Sequence, residues 1–226
     1  MELPPEESHH ASRVVRVRKG DKIGLLDGKG LEATAELRDL SKNKVFVLIK
    51  DLVFHSKPAE HVVLGMARLH SRRILEDVVE KCTEIGIGGF AFFRGTRSQG
   101  SPQIPDKWRR IVVETCKQCG RFWLPEFFSY SSLLDLLQVT PKPVLVAVKA
   151  DFANGFGGVF DSETTSATII VGPEGDFSTE ELDQLRSFGS RFIYLNANIT
   201  YRSETAAFLM SSLVLYEMGK YKKQNN

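Results

Sequence analysis

A glycine-rich turn in the C-terminal half of the chain has residue types and spacing that could build a ligand site. The apolar run 167–171 leads directly into Gly172-Pro-Glu-Gly175, and Ser178 and Glu181 follow with the spacing of a capping box. In α/β sheets, ligands bind just beyond the carboxyl ends of strands, where glycine allows close backbone approach. The order of strand, turn and capped helix therefore predicts a ligand site, with an ordinary strand-to-helix connection as the alternative.

A second stretch, residues 195–205, joins a short predicted strand to the last predicted helix. Its small polar residues would leave backbone N–H and C=O groups free for a ligand. Ser203 can cap the helix, and Glu204 in the first turn suits the helix dipole. Arg202 lies just before that positive end, where neither the cap nor the dipole favours a cation. We interpret Arg202 as a group that serves an anion or a partner, with a solvated surface position as the alternative.

Basic residues form a third group of candidates. His10, Arg13 and Arg16 lie close together near the start of the chain, and Arg72 and Arg73 open a predicted helix. Phosphate contacts are the simplest use for such residues, because each contact releases condensed counterions. A solvated protein face is the alternative for each cluster.

The composition is that of a globular protein with nearly balanced charge. The chain has 226 residues, of which 42% are hydrophobic and 26% charged, and its formal net charge is +2. A bulk electrostatic argument for nucleic acid is therefore weak. No apolar stretch is long enough to span a bilayer, and the acidic start is unlike a signal peptide, so we expect a cytoplasmic protein.

The three cysteines do not form a disulfide framework, which is consistent with a reducing compartment. Cys116 and Cys119 have CxxC spacing, but a structural zinc site would need two further ligands. We interpret these cysteines as small buried hydrophobic residues and expect no metal.

The predicted elements that position these residues fall into two regions. Residues 1–57 look β-rich, with several short strands and a hairpin signal at Asp27–Gly30, which suggests a small barrel. From residue 58 onward, strands alternate with helices, which favours an α/β domain with a mostly parallel sheet covered on both faces. We predict strands over 62–66, 90–93, 144–148, 168–171 and 192–195, and helices over 71–86, 107–119, 133–137, 179–188 and 204–218.

Several motifs occur in an order that resembles a known family. They are His9-His10 with Arg13–Arg16 and Gly20-Asp21, Glu80–Gly86, Cys116–Arg121 with Pro125-Glu126, Gly172–Gly175 with Phe177–Glu181, and Tyr201–Ala206. Together they resemble the RsmE-type ribosomal RNA methyltransferases of the SPOUT superfamily, which methylate N3 of a uridine in small-subunit (16S) ribosomal RNA. Each motif alone is weak, but the set in register is specific and covers nearly the whole chain.

The resemblance implies an RNA-binding PUA-like β-barrel over residues 1–57 and a SPOUT methyltransferase domain over residues 58–226. It also implies a C-terminal trefoil knot, a homodimer with active sites near the subunit interface, and S-adenosyl-L-methionine bound by the knot loops. By position, the expected cofactor contacts are Ala147, Val148, Val171, Gly172, Glu174, Gly175, Leu195, Asn196, Ala197, Thr200, Tyr201, Arg202 and Ser203. The expected RNA contacts are His10, Arg13, Arg16, Arg72 and Arg73.

The chain departs from the family pattern at three places. Asp176 stands where the family usually has glycine, and Ile199 stands where it has arginine. The chain also begins close to His9-His10, so we expect the family's opening strand to be absent. Because cofactor binding there relies on backbone groups, these departures bear more on substrate choice and rate than on cofactor binding.

Methyl transfer from a sulfonium is an in-line displacement, which a protein assists mainly by alignment and electrostatics. N3 of uracil must lose a proton before it becomes a good nucleophile. We predict that Arg202 stabilises the negative charge on the base or holds its phosphate. Glu204 is a candidate proton acceptor, although its position in the first helical turn explains its presence equally well. The alternatives are a SPOUT methyltransferase acting on another RNA and a non-catalytic RNA-binding relative.

Overall fold

The computed structural model describes residues 1–41, 44–69, 71–98, 103–148, 156–195 and 198–222. The chain divides into two compact units, one formed by Met1–Lys57 with Gly120–Leu124 and the other by Pro58–Cys119 with Pro125–Asn226. The helices are α1 (Pro5–His9), α2 (Arg72–Ile85), α3 (Asp106–Cys119), α4 (Leu133–Val139), α5 (Thr179–Ser187) and α6 (Ser203–Lys222). The strands are β1 (Lys22–Leu26), β2 (Leu31–Ser41), β3 (Lys44–Phe54), β4 (His61–Ala67), β5 (Gly89–Phe93), β6 (Glu126–Tyr130), β7 (Val144–Ala147), β8 (Ser166–Val171) and β9 (Arg191–Ile193).

The first unit is built on an antiparallel sheet in the order β1-β2-β3. Alternate residues of β2 and β3 are buried, including Ala35, Leu37 and Val45, because successive side chains of a strand point to opposite faces. The segment 120–124 joins this unit through Trp123, whose Nε1 donates to the His55 carbonyl at 2.9 Å.

The start of the chain differs from the sequence prediction. Leu3 N–H donates to the Val45 carbonyl, and Val47 N–H donates to the Met1 carbonyl, both at 2.9 Å. The segment at residues 1–3 therefore pairs with β3 through an isolated antiparallel bridge between Glu2 and Phe46, at the place where the sequence predicted no opening strand. Residues 5–15 are helical and not β-structure: α1 continues into a π-helical segment over His10–Val15.

The second unit contains a six-stranded sheet in the order β6-β5-β4-β8-β7-β9, in which every pair is parallel. Side chains of α4 and α5, such as Leu136 and Leu185, pack in the core on one face of the sheet. Helices α2, α3 and α6 pack together over the other face, where Trp108 of α3 contacts Phe92 of β5. The prediction of a parallel sheet covered on both faces is confirmed, although β6 was not predicted.

All six strands of this sheet run in one direction, so their carboxyl ends lie at the same edge. The helices that follow begin with local caps: Ser71 Oγ accepts from Ile74 N–H ahead of α2, and Ser178 forms the predicted capping box with Glu181 ahead of α5. This edge is therefore where loops and helix N-termini come together.

The cysteines do not behave alike. Cys116 is buried, as expected for a small hydrophobic residue, but Cys119 is exposed, so the prediction is wrong for that residue. Burial raises the pKa of the Cys82 thiol to about 12, which keeps it protonated and unreactive.

Among the described residues, none of the helices combines the length and the hydropathy that a membrane-spanning segment requires.

Candidate active site

A cavity of about 420 Å³ lies at the carboxyl edge of the parallel sheet. The loops that follow β7, β8 and β9, together with the start of α6 and the first turn of α2, form its walls. It is lined by Ile74, Ala147, Val148, Val171, Gly172, Pro173, Glu174, Asp176, Leu195, Ile199, Thr200, Tyr201, Arg202, Ser203, Glu204 and Ala206. The glycine turn and the stretch before the last helix, which are far apart in sequence, thus meet in one site.

The turn after β8 is shaped by close packing at its first glycine. A Cβ on Gly172 would lie 3.0 Å from the ring of Phe177, which is buried in the sheet core. Glycine at this position therefore lets the turn fold tightly over the core while its backbone faces the cavity.

The loop after β5 supports the same turn from the side. Arg97 Nη1 donates to the Gly175 carbonyl at 2.6 Å, and Thr96 N–H donates to Glu181 Oε1 at 2.9 Å. The other oxygen, Glu181 Oε2, accepts from Ser178 N–H at 2.8 Å. Glu181 is 4% exposed, so one buried carboxylate links the helix cap to the neighbouring loop. No local sequence pattern indicates this link, because Thr96 and Glu181 are distant along the chain.

The wall formed by the start of α6 carries the candidate catalytic residues. Ser203 is buried, while Arg202 is exposed and its carbonyl accepts from Ala206 N–H at 2.9 Å. The guanidinium of Arg202 has no hydrogen bond or ion pair with any residue that the structure describes. Glu204, in the first helical turn, also lines the cavity. A cation and a carboxylate are thus both available at the rim to a bound substrate.

Most of the predicted cofactor residues lie together in this cavity. Gly175 does not line it and instead holds Arg97 through its carbonyl. Asn196 and Ala197 lie outside the described residues. The cavity is also lined by residues outside the predicted cofactor set, namely Ile74, Pro173, Asp176, Ile199 and Ala206. Ile74 could not be found from local patterns, because α2 reaches the site only through the packing of the whole unit.

The predicted RNA-binding residues lie in both units. Arg13 and Arg16 are exposed and His10 is half-buried in the π-helical segment of the first unit and its cap. Arg72 and Arg73 are exposed at the N-terminus of α2 in the second unit.

The departure at Asp176 has a backbone explanation. Asp176 has φ of 63°, in the left-handed region that glycine adopts without strain, and its Oδ1 accepts from Phe177 N–H at 2.9 Å. We expect Asp176→Gly to leave the free energy of unfolding within about 0.5 kcal/mol of the parent, because the lost hydrogen bond offsets the relieved strain. Asp176→Ala keeps the strain and loses the hydrogen bond, so it should be less stable by about 1 kcal/mol. Chemical denaturation of both variants measures this difference, and equal stability would contradict it.

Comparison with known proteins supports an RNA-modifying enzyme. A family model described as an RNA methyltransferase domain matches residues 55–215, and a model described as an RNA methyltransferase PUA domain matches residues 3–50. Since the first model covers more than half of the chain, the chain belongs to the RNA methyltransferase family.

Individual relatives narrow the class further. Ribosomal RNA small subunit methyltransferase E from Bacillus subtilis (strain 168) is 27% identical over 226 residues, covering 94% of this chain and 88% of the relative. A Legionella pneumophila structure in complex with the bound cofactor SAM has 26% identity and a TM-score of 0.84, covering 96% of this chain and 91% of the other. A ribosomal RNA small subunit methyltransferase E from Neisseria gonorrhoeae, at 24% identity and a TM-score of 0.85, shares the fold and covers 96% of this chain and 91% of its own. The resemblance to RsmE-type enzymes is thereby confirmed.

Proposed function

We propose that this protein is an S-adenosyl-L-methionine-dependent methyltransferase that acts on N3 of a uridine in small-subunit ribosomal RNA. The single observation that carries the proposal is the cavity at the carboxyl edge of the sheet, where the glycine turn, the stretch before α6 and the exposed Arg202 come together. Its relatives named as small-subunit ribosomal RNA methyltransferases support the choice of RNA.

The residues in the cavity suit a methyl donor that combines an apolar ring with charged groups. A volume of about 420 Å³ is typical of a small-molecule site. The side chains of Ile74, Val148 and Leu195 would provide apolar surface for the ligand. The turn at Gly172 and Pro173 would bring backbone groups close to it. When bound, S-adenosyl-L-methionine supplies an activated methyl group on a sulfonium. We propose that these residues, with the predicted cofactor contacts that line the cavity, hold it.

The catalytic contribution of the protein is alignment and charge stabilisation. The turn after β8 and the wall before α6 fix the position of the methyl donor, which converts the reaction into one between held partners. The exposed guanidinium of Arg202 would face the uracil as N3 loses its proton and would stabilise the resulting negative charge. Because N3 lies on the pairing edge of the base, the uridine must be unpaired or turned out to reach the cavity.

The finer features implied by the resemblance are part of the same proposal. We propose that residues 1–57 form a PUA-like barrel that holds RNA through His10, Arg13 and Arg16, while Arg72 and Arg73 hold RNA at the methyltransferase domain, residues 58–226. We propose a trefoil knot formed by the loops after β8 and β9.

A homodimer is supported by Leu209, Leu213 and Tyr216, exposed apolar residues on one face of α6. The free thiols are consistent with a cytoplasmic location.

Two measurements test the function. Calorimetric titration should show S-adenosyl-L-methionine binding to the purified protein, and mass-spectrometric mapping should show a protein-dependent methyl group on a uridine of small-subunit ribosomal RNA. Methylation of transfer RNA instead would favour another RNA substrate. Absence of cofactor binding would favour a non-catalytic RNA-binding protein and would overturn the proposal.

Glu204→Gln separates a proton acceptor from a residue that serves only the helix dipole. If Glu204 takes the N3 proton, we expect the methylation rate to fall by about 100-fold, because the amide cannot accept the proton. The fall should be smaller at high pH, where solvent hydroxide removes the proton. A matched change, Glu217→Gln, at a half-buried glutamate of α6 that does not line the cavity, should leave the rate unchanged. An unaltered rate for Glu204→Gln would assign the residue to the helix terminus alone.

A further inference from the structure

A second cavity of about 280 Å³ opens on the other side of the first turn of α2. Its lining residues come from the end of β4, the start of α2, the end of β5 and the segment that leads into α3. They are Arg68, Leu69, Arg72, Leu75, Phe92, Gln103, Ile104, Pro105 and Trp108. The two cavities share no lining residue. Ile74 lines the first cavity, whereas Arg72 and Leu75 line the second, so the cavities lie on either side of the first turn of α2.

The charge of this second cavity favours an anion. Arg68 and Arg72 are its charged lining residues, and no acidic side chain among the described residues lines it. Arg72 is also the first residue of α2, where the exposed backbone N–H groups already carry partial positive charge. A cation is unfavourable at that position unless an anion binds there. A phosphate group would meet both guanidinium groups and the helix terminus together.

One lining residue, Trp108, carries a buried hydrogen-bond donor. Trp108 is 3% exposed, and its Nε1 has no hydrogen-bond partner among the residues that the structure describes. The indole is held between Phe92, at 4.7 Å between ring centroids, and Phe127, at 6.2 Å, so its orientation is fixed by packing. Buried indole N–H groups normally find a partner. The cavity lining beside Trp108 includes Gln103, Ile104 and Pro105, which belong to neither helix nor strand.

We propose that this second cavity binds one nucleotide of the RNA substrate adjacent to the nucleotide that is methylated. Its phosphate contacts Arg68 and Arg72, and an oxygen of its base or ribose accepts from Trp108 Nε1–H. The methylated base itself must reach the donor in the first cavity, so a nucleotide in the separate second cavity is its neighbour. The proposal rests on the proposed RNA methyltransferase function and adds a site that selects and positions the strand.

Steady-state methylation of small-subunit ribosomal RNA by Arg72→Gln tests the phosphate contact. We expect KM for RNA to rise by about tenfold, with kcat and the calorimetric affinity for S-adenosyl-L-methionine unchanged, because only a ground-state RNA contact is lost. The slope of log KM against log salt should fall by about one. Lys81→Gln removes one positive charge from the far end of the same helix and should change neither quantity. An unchanged KM for Arg72→Gln would overturn the proposal.

The indole N–H provides a direct readout that does not depend on activity. The chain has two tryptophans, so its two indole N–H resonances in a ¹H–¹⁵N spectrum can be assigned with Trp108→Phe. We expect the Trp108 resonance to move when a uridine-containing fragment of small-subunit ribosomal RNA is added and to stay in place with S-adenosyl-L-methionine alone. In Arg72→Gln the shift should need about tenfold more RNA. A Trp108 resonance that does not move at saturating RNA would overturn the proposal.

The kinetic experiment and the NMR experiment together distinguish failure of this site from failure of the proposed function. If the parent protein methylates ribosomal RNA and Arg72→Gln does so with the same KM, the second cavity is not a nucleotide site, while the enzyme function stands. If the parent protein methylates no RNA, the proposed function fails, and the spectrum alone decides whether RNA occupies the cavity. If uridine 5′-monophosphate shifts the resonance at lower concentration than RNA does, the cavity is a mononucleotide site and the assignment to RNA is wrong.

Discussion

Arg202→Ala is expected to lower the rate of ribosomal RNA methylation by about 100-fold, because the developing negative charge on the base loses its positively charged partner. The guanidinium of Arg202 makes no hydrogen bond or ion pair with any described residue, so we expect its removal to leave the fold intact. Affinity for S-adenosyl-L-methionine should stay within about threefold, since Arg202 is one of many residues that line the cofactor cavity and its proposed role is in the transition state.

Single-turnover methylation of small-subunit ribosomal RNA and calorimetric titration of the cofactor measure the two effects separately. Arg186→Ala is the matched control, because Arg186 is an exposed arginine of α5 that pairs with Asp183 away from the cavity. Arg202→Lys should recover part of the rate, since it keeps the charge but not the planar fork of donors. A fall of less than about tenfold for Arg202→Ala, at unchanged cofactor affinity, would show that the charge does not serve the reaction.

Glu181→Ala is expected to lower the free energy of unfolding by about 3 kcal/mol, because it leaves two backbone donors without their charged acceptor. These donors are Ser178 N–H, at 2.8 Å, and Thr96 N–H, at 2.9 Å. The same variant removes the hydrogen bond from Thr96 N–H, so that the Arg97–Gly175 hydrogen bond alone remains of the two described links that tie the loop after β5 to the region of the turn after β8. We therefore expect affinity for S-adenosyl-L-methionine to fall by about tenfold, because the turn is less well ordered before binding.

Urea denaturation gives the stability and calorimetry gives the affinity. Glu180→Ala is the control, since Glu180 is an exposed neighbour in the same helical turn and should lower stability far less than Glu181→Ala. Glu181→Gln keeps an acceptor oxygen for one of the two donors and should lie between the parent and Glu181→Ala. If Glu181→Ala were as stable as Glu180→Ala, the link between the two loops would contribute nothing to the fold.

Local features were predictable from the sequence because they depend on residues close together in the chain. Ser71 with Gly86 marks both ends of α2, and Ser178 with Glu181 marks the start of α5, as the structure confirms. The alternation of strands and helices after residue 58 likewise indicated the parallel sheet. In contrast, β6 was missed, because a short strand over Glu126–Tyr130 offers too little periodicity to distinguish it from a connection.

The residue types and their spacing already indicated the glycine turn at Gly172, the cation at Arg202 and the caps that start the helices. The folded chain was needed to show that these segments meet, that Ile74 lines their cavity, and that Glu181 accepts a hydrogen bond from Thr96. The difference arises because caps and turns are set by hydrogen bonds between near neighbours. The order of the strands in the sheet, in contrast, is set by burial of apolar surface over the whole unit, which no local pattern contains.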